Sequence, residues 1–128
     1  MPTVLIVDDY GAVRSAIRAG LARYSGFSVC GEAADGVEAI EKATKLKPDF
    51  ILLDLAMPGM NGMQTAWILK GLMPQVLIVA FSMHVEWLSK ALASAAGIDA
   101  AVAKFDGIGR VVQCFQTLQE RAASQISG

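Results

Sequence analysis

Three aspartates, a serine and a lysine each stand at or just beyond the end of a short apolar run. Val4-Leu5-Ile6-Val7 leads into Asp8 and Asp9, and Phe50-Ile51-Leu52-Leu53 leads into Asp54. Val76-Leu77-Ile78-Val79-Ala80 leads through Phe81 to Ser82, and Ala100-Ala101-Val102-Ala103 leads into Lys104. Carboxylates gathered within ~5 Å of one another repel by about 3 kcal/mol per pair at an effective dielectric of ~20. A protein keeps three together only against positive charge. Lys104 supplies one unit, and a divalent cation would supply the remainder. Carboxylate, carbonyl and water oxygens suit a hard ion such as Mg²⁺ rather than zinc. The single histidine, His84, and the separated Cys30 and Cys114 offer no alternative cage. Taken singly, each residue has a plainer use. Asp8 or Asp9 could cap a helix, Asp54 could form the turn before Pro58-Gly59, Ser82 could cap the next helix, and Lys104 could be solvated. Their recurrence at four strand ends is what points to a site.

The apolar runs are continuous rather than alternating, which marks strands covered on both faces. Between them lie segments with helical spacing. Val13, Ile17 and Leu21 predict a helix from about residue 10 to 24. A weaker strand, Phe27-Ser28-Val29-Cys30, offers only Gly31 and Glu32 beyond its end. Asp35-Gly36 opens a second helix carrying Val37, Ile40 and Ala43. Further helices are expected from about Asn61 to Leu72 and from about Val85 to Ala96, the latter ended by Gly97. Ile108, Val111, Phe115 and Leu118 mark the last. Five β-α units imply an α/β protein with a single doubly wound five-stranded parallel sheet and helices on both faces. Such sheets carry function beyond the carboxyl ends of their strands. Residues 1–122 are expected to form one domain, with 123–128 a C-terminal tail.

The chain has 128 residues, 54% hydrophobic and 18% charged, enough to bury a core without disulfides. A net charge of −1 without any block of like charge speaks against nucleic-acid binding by this segment. Cys30 and Cys114 are expected to be buried free thiols in a reducing compartment. MPTVLIVDDY lacks the pattern of a signal peptide, and no apolar run is long enough to span a bilayer. These features predict a cytoplasmic protein that does not enter the membrane.

VLIVDD at 4–9, GEAADGVEAIEKA at 31–43 and DLAMPGMNG at 54–62 resemble the receiver domain of bacterial two-component response regulators. So does the spacing of Ser82, 28 residues beyond Asp54, and of Lys104, 22 beyond Ser82. The resemblance runs from about Thr3 to Arg121. It implies a (βα)5 flavodoxin-like fold with strand order 2-1-3-4-5. It implies that Asp54 is the phosphoacceptor, served by a sensor histidine kinase or phosphotransfer protein. By the same resemblance Asp9 binds Mg²⁺ directly, Asp8 helps to hold it, and the backbone carbonyl of Ala56 completes the protein ligands. Lys104 pairs with a phosphate oxygen, and Ser82 moves to donate to the phosphate, which shifts the surface of the last two helices. The strand end is expected to hold Asp54 rigidly at the rim, exposed enough to meet a donor, while Gly59 and Gly62 let the following turn bend away and Pro58 stiffens it.

Some positions depart from the family's usual pattern. Phe105 stands where proline often follows the lysine, and Ala101 stands where an aromatic switch residue is common. Met83-His84 is similar to the branch that often carries a LuxR-type helix-turn-helix. Trp67 and Trp87 are candidate partner or homodimer surfaces on the third and fourth helices. The rivals to a phosphorylatable receiver are a pseudo-receiver that serves as a docking scaffold and a small Mg²⁺-dependent phosphohydrolase. The latter is disfavoured because Ala56 occupies the place of its general acid. The chain is therefore expected to be a signalling phosphoacceptor that assists only its own phosphorylation and dephosphorylation, not an enzyme.

Overall fold

In a computed structural model, which describes residues 1–57 and 59–127 (the last three as backbone only), five strands alternate with five helices. The strands are β1 Thr3–Val7, β2 Ser28–Ala33, β3 Phe50–Leu53, β4 Leu77–Ser82 and β5 Ala100–Ala103. The helices are α1 Gly11–Leu21, α2 Gly36–Leu46, α3 Gly62–Leu72, α4 Lys90–Ala96 and α5 Gly107–Ser127. A 3-10 turn, Lys104–Asp106, links β5 to α5. All pairings are parallel, in the order β2-β1-β3-β4-β5. The expected α/β architecture and strand order are both present.

Alternate residues of the central strands feed two separate cores. Leu5, Val7, Ile51, Leu53, Ile78 and Ala80 face α2, α3 and α4, where Ala39, Ala43, Ala66 and Leu69 meet them. Val4, Ile6, Phe50, Leu52, Val79 and Phe81 face α1 and α5, against Ile17, Leu21, Val111 and Phe115. The Phe50 and Phe115 rings sit 4.3 Å apart between centroids, which ties the middle of the sheet to α5. Both faces of β1, β3 and β4 are thus apolar, which is why these strands read as continuous apolar runs.

Several boundaries differ from expectation for identifiable reasons. β2 starts one residue later than expected, at Ser28, and continues through Gly31, Glu32 and Ala33, because its edge position needs backbone pairing with β1 and little apolar content. β4 continues to Ser82, which pairs with Ala103 of β5. α1 ends at Leu21, and α4 begins only at Lys90. Ser89 caps α4, its hydroxyl accepting from the Leu92 N–H at 3.1 Å. Trp87 therefore lies in the turn before α4, where its indole donates to the His84 carbonyl at 3.0 Å. α5 is helical through Ser127, over residues expected to form a tail. Cys30 and Cys114 are free, as expected, but half-buried rather than buried. The expectation that Pro58 stiffens its turn lies outside the described residues.

Candidate functional site

Strand register gathers the five polar residues. Val7 pairs with Leu53, and the Asp54 N–H donates to the Val7 carbonyl at 2.9 Å, so Asp8 and Asp54 leave the sheet side by side. Leu53 pairs with Ala80, which sets Ser82 just beyond Asp54. Ser82 pairs with Ala103, which places Lys104 next.

All five meet at one rim. One oxygen from each of Asp8, Asp9 and Asp54 lies within 4.8 Å of the others. The Lys104 ammonium donates to Asp8 Oδ2 at 2.7 Å and to Asp54 Oδ2 at 3.4 Å. The Ser82 hydroxyl donates to Asp54 Oδ1 at 2.6 Å, and its oxygen accepts from the Leu55 N–H at 3.2 Å. The Ala56 N–H also donates to Asp54 Oδ1, at 3.1 Å. Burial alone would pull the Lys104 ammonium down. The hydrogen bond to Asp8 and the charges of Asp54 and Asp8 outweigh it and hold its pKa above the usual lysine value.

Asp54 was expected to be exposed enough to meet a donor, but it is buried: only 5% of its surface is accessible. Its carboxylate turns inward because Ser82, the Ala56 N–H and Lys104 all satisfy it there. The neighbouring Leu55 and Met57 are buried as well. Ala56, next along the chain, is exposed.

The acids are not equivalent. Asp8 spends both oxygens within the protein, Oδ1 accepting from the Tyr10 N–H at 2.9 Å and Oδ2 from Lys104. Asp9 Oδ1 is buried with no hydrogen-bond partner, which is costly for an ionised oxygen unless something else occupies its lone pairs. Three carboxylates facing one ammonium, with one oxygen left over, form a donor set that suits a hard divalent cation. Each carboxylate oxygen offers two lone pairs, so Asp8 and Asp54 keep acceptor capacity beside their present bonds.

One support, Arg14, had no signal in the sequence. Arg14 of α1 donates from Nη1 to the Asp8 carbonyl at 2.6 Å and from Nε to Glu32 of β2 at 3.0 Å. Neither contact follows a recognisable spacing. Gly62 matters differently than expected. It does not adopt positive φ, whereas Gly59 does, at +75°. Instead a Cβ at Gly62 would lie 2.5 Å from Leu55 Cα and 2.7 Å from the Asp54 carbonyl oxygen. Those are backbone atoms and cannot rotate away. Gly62→Ala is expected to cost about 2–3 kcal/mol of stability, as overpacking does. It is also expected to slow phosphoryl uptake by displacing Asp54; urea unfolding together with a phosphorylation time course checks both.

The positions that depart from the family pattern lie on the surface. Ala101 and Phe105 are exposed, as are Trp67, Met83 and Trp87. Among the described residues no helix is long and apolar enough to cross a membrane.

A parallel sheet in this order with three acids, a serine and a lysine at its carboxyl rim defines a phosphoacceptor-type receiver. The chain matches the response regulator receiver domain over residues 4–115, and it belongs to that family. It is 40% identical over 101 residues to the response regulator protein VraR of Staphylococcus aureus, covering 79% of this chain and 48% of that protein. The chain thus spans about half the length of the curated relatives it matches. Among solved structures it is similar to a two-component response regulator of the LuxR family from Aurantimonas, with a TM-score of 0.86 and 28% identity, covering 92% of this chain and 84% of that one. It is also similar to the isolated REC domain of RcsB from Salmonella enterica, solved with the phosphomimetic BeF₃⁻. There the TM-score is 0.79 and the identity 26%, over 93% of this chain and 88% of that one. The chain is a receiver domain of two-component signal transduction, a signalling module by family.

Proposed function

We propose that Asp54 accepts a phosphoryl group from a sensor histidine kinase or phosphotransfer protein in the cytoplasm, with Mg²⁺ as cofactor. The observation that carries this is the convergence on the Asp54 carboxylate of the Ser82 hydroxyl, the Lys104 ammonium and the Asp8–Asp9 acid pair. A carboxylate oxygen of Asp54 attacks phosphorus as the phosphorus–nitrogen bond of the donor phosphohistidine breaks. The bonding pair leaves with the imidazole, and an aspartyl phosphate results. Phosphoryl transfer needs alignment and charge neutralisation more than covalent assistance. Asp9, Asp8, Asp54 and the Ala56 carbonyl would hold Mg²⁺, which when bound supplies charge neutralisation at the phosphoryl oxygens. Lys104 offers the second positive charge, already placed 3.4 Å from the acceptor.

Ser82 connects chemistry to signal. Its hydroxyl bonds an unmodified Asp54, and a phosphorylated Asp54 would offer it a more highly charged acceptor. Ser82 also accepts from the Leu55 N–H and adjoins the exposed Met83, so its movement pulls on two loops. Ala101 has no ring to rotate, and the population shift is therefore read out through the Ser82-Met83 segment and the surfaces around it. Exposed Trp67 and Trp87 give a partner or a second copy of the chain apolar surface to use.

Incubation with acetyl phosphate and Mg²⁺, followed by intact-mass measurement, tests the reading. The expected result is one added phosphoryl group, located at Asp54 after fragmentation and lost when EDTA is present from the start. An unchanged mass favours a docking scaffold. Repeated turnover of a small phosphate ester would favour the phosphohydrolase, although Ala56 leaves it without an acid two residues after Asp54.

A further inference from the structure

We propose that Arg14 is a positioning residue for the metal-binding carboxylate of Asp9, acting through the peptide that joins Asp8 to Asp9. The proposal rests on the reading of Asp9 as a metal ligand given above. The Asp8 N–H donates to the Ala33 carbonyl at 3.0 Å, which ties the near side of the turn to β2. The Asp8 carbonyl, which belongs to the same peptide as the Asp9 nitrogen, accepts from Arg14 Nη1 at 2.6 Å. The Arg14 bond restrains the plane of that peptide, the Ala33 bond restrains the peptide before it, and together they limit the direction in which Asp9 leaves the backbone. Asp9 needs this more than its neighbours do. Asp8 and Asp54 are oriented by their own side-chain bonds, whereas the buried Asp9 Oδ1 has none.

The guanidinium is itself held. Its Nε donates to Glu32 Oε1 at 3.0 Å, and Arg18 Nε takes the other Glu32 oxygen at 2.8 Å. The Glu32 backbone carbonyl accepts from Lys42 of α2. Arg14 is the member of this cluster that also touches the Asp8 carbonyl, because a planar fork can address two acceptors at a fixed angle. Lysine in its place would supply a single point charge and satisfy one of them. Groups that orient metal ligands from behind commonly alter affinity by about 10–100-fold when removed.

The two arginines share Glu32 but only Arg14 meets the acidic turn, and that separates positioning from general stability. Mg²⁺ binding is measured by calorimetry on wild type, Arg14→Ala, Arg14→Lys and Arg18→Ala, each shown folded by thermal unfolding. The same four proteins are phosphorylated with acetyl phosphate across a range of Mg²⁺. Arg14→Ala is expected to bind Mg²⁺ about tenfold more weakly, to need correspondingly more Mg²⁺ for half-maximal phosphorylation, and to approach the wild-type rate at saturation. Arg14→Lys is expected to fall between. Arg18→Ala is expected to lose stability and keep its Mg²⁺ affinity. Equal shifts in both alanine variants, or none in Arg14→Ala, would overturn the proposal.

A wild-type chain that bound no Mg²⁺ would instead sink the proposed function. In that case hydrogen exchange of the Tyr10 amide, which donates to Asp8 Oδ1, still decides the role of Arg14 without metal. Faster exchange in Arg14→Ala but not in Arg18→Ala supports a hold on this turn, and equal exchange removes it.

Discussion

An Asp54→Asn variant is expected to take up no phosphoryl group and yet to unfold at a higher temperature than wild type in metal-free buffer. The first half follows because an amide oxygen is a poor nucleophile toward phosphorus. The second is decided by magnitudes. With acid oxygens within 4.8 Å of one another, Asp54 is repelled by Asp8 and by Asp9 by at least ~3.5 kcal/mol each at an effective dielectric of ~20. Its attraction to Lys104 at 3.4 Å is worth ~5 kcal/mol on the same scale. Neutralising the side chain therefore leaves the protein about 2 kcal/mol more stable. Asparagine keeps an oxygen to accept from Ser82 and from the Ala56 N–H, so the buried bonds survive, and Lys104 keeps Asp8 at 2.7 Å. On the proposed reading Mg²⁺ should reverse the order, since its binding to the three acids would favour the folded wild type by mass action. Thermal unfolding in EDTA and in excess Mg²⁺ measures both. A variant less stable than wild type in EDTA would mean that the three acids do not strain one another.

β3 lies where its apolar run puts it, because a strand buried on both faces must be continuously apolar and few other segments are, and β5, an edge strand with Ala101 exposed, still keeps the bounds of its small apolar run. The polar residues at their ends then fell into place without any knowledge of side-chain geometry. Where apolar content was low or side chains chose the geometry, bounds and burial were not legible. β2 is an edge strand, and Gly31, Glu32 and Ala33 pair through backbone alone. The start of α4 depends on a hydroxyl at Ser89 competing with other plausible starts before it, a local choice that periodicity does not resolve. The burial of Asp54 was missed because exposure at a rim depends on where the carboxylate turns, and that is set by Ser82 and Lys104, 28 and 50 residues away. Gly62 looked like a flexible turn residue but is a steric requirement, visible only once Leu55 and the Asp54 carbonyl are in place. Arg14 was invisible for a related reason: one of its acceptors is a backbone carbonyl, which carries no residue identity.

Lys104→Met is expected to move stability in the opposite direction to Asp54→Asn. Removing the ammonium leaves Asp8, 1% exposed, and Asp54 without their cation. Breaking a buried pair in this way costs about 3–5 kcal/mol. Phosphoryl uptake should fall by about 10²-fold, the usual loss when one donor to a developing anion is deleted. The pH dependence isolates the cause. The folded pKa of Lys104 lies above its ordinary 10.5, so its contribution is fully present below that value and is lost as pH rises through the folded pKa. Urea unfolding from neutral to strongly alkaline pH should therefore show a constant gap between wild type and Lys104→Met below about 10.5, and a narrowing gap above it. Tyrosines and other lysines titrate in the same range, but they do so in both proteins, and the difference between the two curves removes them. A gap that stayed constant to the highest pH would mean that Lys104 stabilises by packing rather than by charge. Combining the two substitutions sharpens the argument. With Asp54 already neutral, Lys104 has one fewer acid to offset, and Lys104→Met should cost less than it does in the wild-type background. A cost unchanged in the Asp54→Asn background would show that Lys104 serves Asp8 alone and that the 3.4 Å contact to Asp54 contributes nothing.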